Sequence, residues 1–564
     1  MCAARVAPRK GRPRGPRNGR KMAAHSGVTR RDNLPRAIAT LAVVAVALGI
    51  FARFSDLDHK LFWFDEAYSM LRISGHTDRG YYALFDGSVR PAPELAAFQH
   101  IVPELGLSKA FASLAGEEPQ RGPCYYLAAR LWGGIFGDGV ATMRAFSALL
   151  GIIGIGLGYL LGRRMTGSRL GGLVLAALIA VSPFHILYSQ QVREYVLFTD
   201  VTLLSVWLLL RALERPTWSR FALYAAGLTL GLYSDVEFGL IVLAETLYVF
   251  ALRWREGPKI AATSFALSAG AALALYAPWA WLIVRAAART ARGVSWTSAP
   301  YPIGSYAIKW LFNLGAVFFD YELADVRLGV LLGPILIITA FAAIRMFRGP
   351  DDARVRWLVI ALTGSVLVPL VAADLLARSH MESVTRYQVP TWIGVELAVA
   401  LALTSGLAAS TFRVRAFSAL AFAYLVACGI FAAFADRGYV LWWDNNEHIS
   451  EASVGAVIAT ERRPIVLADA DHSEVLVLSR YLPSDANLLL YRDRVPDLPR
   501  TRGTVLFFLP TDRELRAVRE NLDPASLRNV SPPLELAIPD LRSDSTQPEV
   551  NPRNTLWMVV PKTP

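Results

Sequence analysis

Long apolar stretches alternate with short polar connections over the first three quarters of the chain. A helix needs about 20 apolar residues to cross a hydrocarbon layer about 30 Å thick. The stretches have the approximate bounds 37–54, 144–162, 170–188, 196–213, 220–234, 238–253, 260–284, 328–347, 357–377, 389–409 and 416–435. This pattern predicts a mainly α, polytopic membrane protein with about 11 transmembrane helices.

The composition agrees with a membrane protein, because 54% of the residues are hydrophobic, only 18% are charged, and the mean hydropathy is +0.36. The net charge of +12 could indicate a nucleic-acid binder, but 11 basic residues lie within the first 36 positions. Without that segment the excess nearly vanishes, so no nucleic-acid partner is expected. The three cysteines show neither the spacing of a zinc site nor that of a disulfide framework.

The segments between and beyond the apolar stretches predict three further units. Residues 1–36 are rich in Arg, Pro and Gly and are expected to form a disordered basic tail. Pro123–Phe136, inside the long first loop of residues 55–143, is too short to span a bilayer and predicts an interfacial helix. Residues 437–564 turn soluble in composition and predict a small α/β domain, with strands at 464–468, 487–491, 504–510 and 555–560 and a helix at 512–522.

Basic residues fall in every second short loop, which predicts that those loops face the cytoplasm. The basic N-terminal tail then also lies in the cytoplasm, and an odd number of spans places the C-terminal domain on the other side. We expect a multi-pass protein of the cytoplasmic (inner) membrane of a bacterium, with the transmembrane unit at residues 37–436 and the C-terminal domain extracytoplasmic.

An acidic pair follows the first apolar stretch, in the motif FWFDEAYSM. Asp65 and Glu66 lie there among aromatic side chains, in a loop much longer than a connection requires. Apolar surroundings raise a carboxylate's pKa toward that of a general base, and the second acid could hydrogen-bond or bind metal. The alternative is an acidic pair at a helix N-terminus beside an aromatic belt.

Two more polar clusters lie on the same predicted face. One ends the third stretch, in SPFHILYSQQVREY, and the other is the short motif YSDVEF between two closely spaced stretches. They could line a substrate site, or they could be an interfacial cap and an acidic turn. The candidate residues are His185, Tyr188, Gln190, Arg193, Tyr195, Asp235 and Glu237.

A fourth cluster, RSHMESVTRYQVP, contributes Arg378, Arg386 and Tyr387. Arginines in a short outer loop oppose the positive-inside bias, and an anionic phosphate would explain them because a guanidinium binds two phosphate oxygens. Salt bridges or lipid headgroups are the alternative. Together the clusters suit a polyprenyl-phosphate sugar, whose transfer needs a base for the acceptor hydroxyl and cations for the departing phosphate.

Three motifs, in this order and spacing, resemble the GT-C superfamily of membrane glycosyltransferases, in the branch of the protein O-mannosyltransferases and the lipid A aminoarabinose transferase (glycosyltransferase family 39). They are FWFDEAYSM, RGPCYYLAARLWGGIFGDGVATMRAFSALLG and SPFHILYSQQVREY. The resemblance implies sugar transfer with inversion from a polyprenyl-phosphate donor to a lipid, glycan or protein acceptor. It implies Asp65 as the base, with Glu66 as its partner. The donor phosphate would bind Arg121, Arg193, Tyr195, Arg386 and Tyr387. Arg378, from the fourth cluster itself, is a further candidate for contact with substrate.

No cofactor is certain. His59 with Asp56, Asp58, Asp65 and Glu66 could form an oxygen-rich site for a divalent metal ion, although the spacing alone does not establish one. Two other functions remain open. One is a lipid-linked sugar transporter or flippase, which would place charged pairs near the middle of the bilayer. The other is a glycan-binding membrane protein without catalytic activity.

Overall fold

The computed structural model describes residues 33–257, 260–293, 303–319, 326–348, 353–376, 379, 384–438, 451–470, 474–492, 495, 503–521, 527–532 and 555–559. Each predicted apolar stretch lies in a helix or, for 170–188, in a bent helix pair. These helices are α1 (Asn33–Phe54), α7 (Val140–Thr166), α8 (Arg169–Val181), α9 (Pro183–Ser189), α10 (Tyr195–Glu214), α11 (Trp218–Leu232), α12 (Phe238–Glu256), α13 (Ala262–Gly293), α15 (Leu332–Arg348), α16 (Ala353–Leu376), α17 (Val389–Leu407) and α18 (Phe412–Ala435).

Within the described ranges, eight helices are long and apolar enough to cross a membrane, or nine if the bent pair α8 and α9 is one span. Helix α11 has only 15 residues, and α12 contains Glu245, Arg253 and Arg255, so these two predicted spans fall outside that number. The chain is therefore a multi-pass helical membrane protein.

The bend between α8 and α9, of 63°, follows from Pro183, which has no N–H and begins a new helix. The carbonyls left free at the end of α8 accept hydrogen bonds from Arg53 on α1, with Ile179 O at 2.9 Å. Helix α1 comes this close because Gly49 faces Ala180, where an added Cβ would lie 2.1 Å from the carbonyl oxygen. Arg53, fully buried, thereby caps the broken helix.

Shorter elements form the first loop, residues 55–139, the segment between α13 and α15, and the C-terminal domain. The helices are α2 (Phe64–Ser74), α3 (Asp78–Tyr82), α4 (Ala92–Ala96), α5 (Leu107–Glu117), α6 (Pro123–Phe136), α14 (Ile303–Ala316), α19 (Glu451–Ala459), α20 (Glu474–Leu478) and α21 (Asp512–Asn521). Single 3-10 turns lie at Ala97–Gln99, Val326–Leu331, Thr385–Gln388 and Asp436–Gly438. The helix predicted at Pro123–Phe136 is thus present, as α6.

One six-stranded sheet forms the core of the C-terminal domain. Its strands are β1 (Val89–Pro91), β2 (Ile465–Asp469), β3 (Asn487–Tyr491), β4 (Val505–Phe508), β5 (Leu527–Asn529) and β6 (Leu556–Val559), in the order β1-β3-β2-β4-β6-β5. Strands β3, β2 and β4 are parallel, while β1, β6 and β5 pair antiparallel. The small α/β domain and the four strands predicted in it are confirmed.

The edge strand β1 comes from the first loop and pairs with β3, Val89 opposite Leu489. Hydrogen bonds from Gly87 N to Leu490 O at 2.8 Å and from Ala92 N to Ala486 O at 2.9 Å extend the pairing. The sequence analysis treated the first loop and residues 437–564 as separate units. The structure joins them through one sheet.

Candidate active site

The acidic pair lies in the first turn of α2, where the exposed backbone N–H groups favour negative charge. Glu66 is fully buried and forms two hydrogen bonds with Arg144, at 2.9 Å from Nε and 2.5 Å from Nη2. The same carboxylate accepts the Val192 N–H at 2.9 Å. Glu66 therefore fixes the orientation of α2, and its lone pairs are engaged by the protein.

Arg144, at the start of α7, was absent from the sequence-based site. Its remaining donors bind three backbone carbonyls just before α2, those of Leu57, Lys60 and Leu61, at 2.8 to 2.9 Å. A buried arginine is tolerated only when its charge and its donors are satisfied. Arg144 thus ties the segment that leads into the acidic pair to the membrane helices.

Asp65 points away from Glu66, toward two arginines. Its Oδ2 lies 3.2 Å from Arg193 Nη2 and its Oδ1 lies 4.0 Å from Arg121 Nη2. The contact with Arg193 lacks the angle of a hydrogen bond, so Oδ2 is buried without a hydrogen-bond donor from the protein. Asp65 is only 7% exposed. The site therefore holds a carboxylate that the protein does not saturate, unlike Glu66.

The two arginines belong to a wider network of buried charges. Arg121 donates to Glu118 at 2.9 Å and to Glu194 at 3.1 Å, and Glu194 also accepts from Tyr126 at 2.7 Å. Burial alone would raise the pKa of Glu194, but Arg193 and then Arg121 lower it below its usual value. Burial likewise opposes ionisation of Glu118, yet its arginine neighbours lower its pKa to about 2. Both acids are ionised at neutral pH.

Tyr195, Arg386 and Tyr387 border the same network, as the sequence predicted. Arg193 Nη2 donates to Tyr195 Oη at 3.0 Å. The Arg386 guanidinium lies 5.9 Å from the Trp63 ring centroid and 5.6 Å from that of Tyr387. Tyr387 is within electrostatic range of Glu237, Asp65 and Arg121. Arg378 lies outside the described residues.

Asp235 and Glu237, between α11 and α12, come against the same site. The backbone of Asp235 forms a β-bridge with that of Arg121. Burial, and next the charge of Glu194, raise the pKa of Asp235 to about 7. Burial and then Asp235 raise the pKa of Glu237 well above its usual value. Burial and the neighbouring carboxylates therefore favour the protonated forms of Asp235 and Glu237, in contrast to Glu118 and Glu194.

His185 and Gln190, which were predicted to line a substrate site, form hydrogen bonds inside the helical bundle. His185 Nε2 lies 2.9 Å from Glu396 Oε2 on α17. Gln190 Nε2 donates to Ala52 O at 2.9 Å and Ser55 O at 3.0 Å, at the end of α1. The reason is the break at Pro183, which turns this segment inward. Tyr188 packs its ring edge-on against Tyr195, next to the site.

The acids and the histidine considered for a metal do not assemble. Among the described residues, which include all five, no three His, Cys, Asp or Glu side chains are close enough to hold an ion. Asp56 pairs instead with Arg437 at 2.5 Å, and Glu66 is engaged by Arg144. These donors do not fit a metal site, so we derive no step through one.

Five residues of the network were not predicted as site residues from the sequence: Arg72, Glu118, Tyr126, Arg144 and Glu194. Arg72 on α2 pairs with Glu118 at 2.9 Å and also with Asp78. Each of these residues lies in a helix or turn whose pattern alone looks ordinary. One of them could have been found from the sequence. Arg144 lies at the start of an apolar stretch, and an arginine in that position implies a buried acidic partner.

The chain is similar to known proteins in part of its sequence and in its fold. Residues 120–282 match the family of dolichyl-phosphate-mannose-protein mannosyltransferases. The crystal structure of ArnT from Cupriavidus metallidurans bound to undecaprenyl phosphate superposes with a TM-score of 0.50 at 13% sequence identity, over 87% of this chain and 96% of that one. The chain has the GT-C fold. The predicted mainly α fold with GT-C architecture is thereby confirmed.

Other comparisons with the GT-C chain are more distant. The archaeal oligosaccharyltransferase AglB from Archaeoglobus fulgidus, in complex with an inhibitory peptide and a dolichol-phosphate, gives a TM-score of 0.47 at 11% identity, covering 84% of this chain and 69% of that one. No curated protein matches the sequence. The family match begins after Asp65, spans α6 to α13 and does not include the acidic pair.

Proposed function

We propose that this protein is an integral membrane glycosyltransferase that transfers a sugar from a polyprenyl-phosphate donor to an acceptor hydroxyl, with inversion. The observation that carries the proposal is Asp65, a buried carboxylate short of hydrogen-bond donors, 3.2 Å from Arg193. The GT-C fold, and the undecaprenyl phosphate bound by the structural relative, support a lipid-phosphate substrate.

In the proposed reaction, Asp65 accepts the proton of the acceptor hydroxyl while that oxygen attacks the anomeric carbon. The bond from this carbon to the phosphate oxygen breaks, and polyprenyl phosphate leaves with the electron pair. Arg193, Arg121 and Arg386 stabilise the growing phosphate charge. Because Arg193 contacts Asp65 in the structure, donor phosphate bound to Arg193 would free the carboxylate to act as the base.

Glu66 then has a positioning role, since Arg144 and the Val192 N–H engage it fully. Asp235 and Glu237 line the site beside Arg121 and are proposed to contact substrate. We propose that the reaction occurs at the outer face of the cytoplasmic membrane, with the N-terminus in the cytoplasm. Opposite accessibility of reporters fused to the two termini would test this orientation.

A lipid-linked sugar flippase is the second candidate function. The broken helix α8–α9 and the charged side chains near it, Arg53, Asp200 and Glu396, are features that transporters use. Against it, Arg53 donates to the carbonyls of Gly49, Ile179 and Ala180, which makes it a helix cap. The acidic pair of the first loop has no part in that function.

The test supplies radiolabelled polyprenyl-phosphate sugars and membrane extract as acceptor to purified protein in liposomes, with and without a chelator. Wild type should consume one donor, and Asp65→Asn should lower turnover at least about 100-fold. Asp86→Asn, which changes an exposed acid of the same loop, is the matched control and should behave as wild type. If wild type translocates the donor without consuming it, the flippase is the better account. If Asp65→Asn turns over donor as fast as wild type, Asp65 is not the base.

A further inference from the structure

The C-terminal domain contacts the chain immediately before the acidic pair. The Tyr481 hydroxyl, which follows α20, accepts a hydrogen bond from the Phe62 backbone N–H at 3.2 Å. The neighbouring Arg480 guanidinium lies 4.3 Å from the centroid of the Phe62 ring. Phe62 is 1% exposed, so this is a buried contact between the domain and the first loop.

Arg480 is itself held in place by the first loop. Its Nε donates to Gln99 Oε1 at 2.5 Å and its Nη2 to Gln99 O at 3.3 Å. The Gln99 amide in turn donates to Ser479 Oγ at 3.3 Å and to the Leu476 carbonyl. Gln99 is fully buried. Arg480 therefore has a defined position over Phe62 and is not a mobile surface side chain.

The first turn of α2 depends on such outside contacts. Its N-cap is Trp63, which makes no side-chain capping hydrogen bond, so the helix lacks the usual local support for its first N–H groups. Glu66 is held from the membrane side by Arg144. Phe62, directly before Trp63, is held from the domain side by Tyr481.

We infer that Arg480 and Tyr481 are positioning residues for Asp65, which makes the C-terminal domain part of the transferase active unit and not an accessory to it. This inference rests on the proposed function. Asp65 lies three residues after Phe62, so a shift of Phe62 rotates the first turn of α2 and moves the carboxylate relative to Arg193. Displacements of about 1 Å are enough to cost on the order of 100-fold in rate.

The first experiment compares Tyr481→Phe with wild type in the donor-turnover assay. The substitution removes only the hydroxyl that accepts the Phe62 N–H. We expect kcat to fall about tenfold, between the effect of one lost hydrogen bond and that of a fully misplaced group. KM for the donor should stay within about twofold, because the arginines and tyrosines proposed to bind phosphate are untouched.

The matched control is Tyr491→Phe, which removes another tyrosine hydroxyl of the same domain, one that donates to Glu514 on α21. It should leave kcat unchanged. A pair at position 480 completes the series, in which Arg480→Lys keeps a cation near the Phe62 ring and should retain more activity than Arg480→Ala.

Amide hydrogen exchange gives a readout that does not depend on turnover. In Tyr481→Phe, the peptide spanning residues 62–67 should exchange faster than in wild type, while β3 should keep its protection. A wild-type enzyme that transfers sugar, together with a Tyr481→Phe variant of unchanged kcat and exchange, would overturn the inference and leave the proposed function intact. Equal losses of activity and thermal stability in Tyr481→Phe and Tyr491→Phe would also overturn it. No transfer by wild type would instead reject the proposed function.

Discussion

Two adjacent carboxylates on α2 are expected to respond in opposite ways when each is neutralised. Glu66→Gln removes the charge that faces Arg144, a fully buried arginine, and Gln can replace only part of three charge-assisted hydrogen bonds. Removing one partner of a buried ion pair leaves the other charge unpaired and lowers the free energy of unfolding by about 3–5 kcal/mol. Because Arg144 keeps three carbonyl acceptors, we expect the lower end, about 3 kcal/mol, or a factor of about 100 in the folding equilibrium.

Asp65→Asn should cost much less stability, below about 1 kcal/mol, because the lost contacts are an ion pair with Arg193 at 3.2 Å without hydrogen-bond geometry and a longer one with Arg121 at 4.0 Å. Arg193 retains its contacts with Tyr195 and Glu194 in that variant. The loss of the Asp65 carboxylate should instead lower donor turnover. Stability and activity therefore separate the two neighbouring residues.

The assay measures thermal unfolding of detergent-purified protein alongside donor turnover. Glu94→Gln serves as the control for Glu66→Gln, since Glu94 is an exposed acid that pairs with Arg90 and should contribute under about 1 kcal/mol. The double variant Glu66→Gln/Arg144→Met should recover part of the lost stability, because it removes the unpaired charge. A Glu66→Gln protein as stable as wild type, or an Asp65→Asn protein that unfolds, would refute this division of roles.

Three further outcomes follow from the same site. Burial, and next the charge of Glu194, raise the pKa of Asp235 to about 7, so this carboxyl group destabilises the fold progressively as the pH rises from about 4 to about 7. Asp235→Asn should therefore raise the melting temperature at pH 8 and change it little at pH 4. Gly122→Ala would put a Cβ 2.3 Å from Tyr233 O, so it should cost about 1–3 kcal/mol in a denaturation series and lower turnover. Arg193→Gln should raise KM for the donor and lower kcat, whereas an unchanged KM in initial-rate measurements would argue against a phosphate contact.

The sequence predicted the membrane helices and the C-terminal strands well, because a continuous apolar run or a short buried strand can be recognised from its own residues. It also brought Asp65, Arg193 and Tyr195 together, since a consistent charge pattern in the loops placed their motifs on one face. Arg386 and Tyr387 came from the same argument. The site residues were predicted correctly to lie together where the motif and its loop were enough to assign them to one face.

The remaining features depend on partners that are distant in sequence. Arg144 and Glu66 are 78 positions apart, and nothing in either segment identifies the other. Gln190 donates to the carbonyl of Ala52, 138 positions away, and neither segment identifies the other. Strand β1 has only three residues, too few for an alternating pattern.

The shared sheet sets an order for biosynthesis. The first loop is synthesised early, yet β1 finds its partner strand, and Gln99 its partner Arg480, only about 400 residues later; the latter pair is 381 positions apart. Such distant closures are slow, since they must wait for the intervening chain. A nascent chain whose membrane helices have all been inserted therefore still has an unfinished first loop. Folding of the C-terminal domain is therefore the step that completes the first loop. Chains truncated before β3 should remain in the membrane with the first loop incompletely folded.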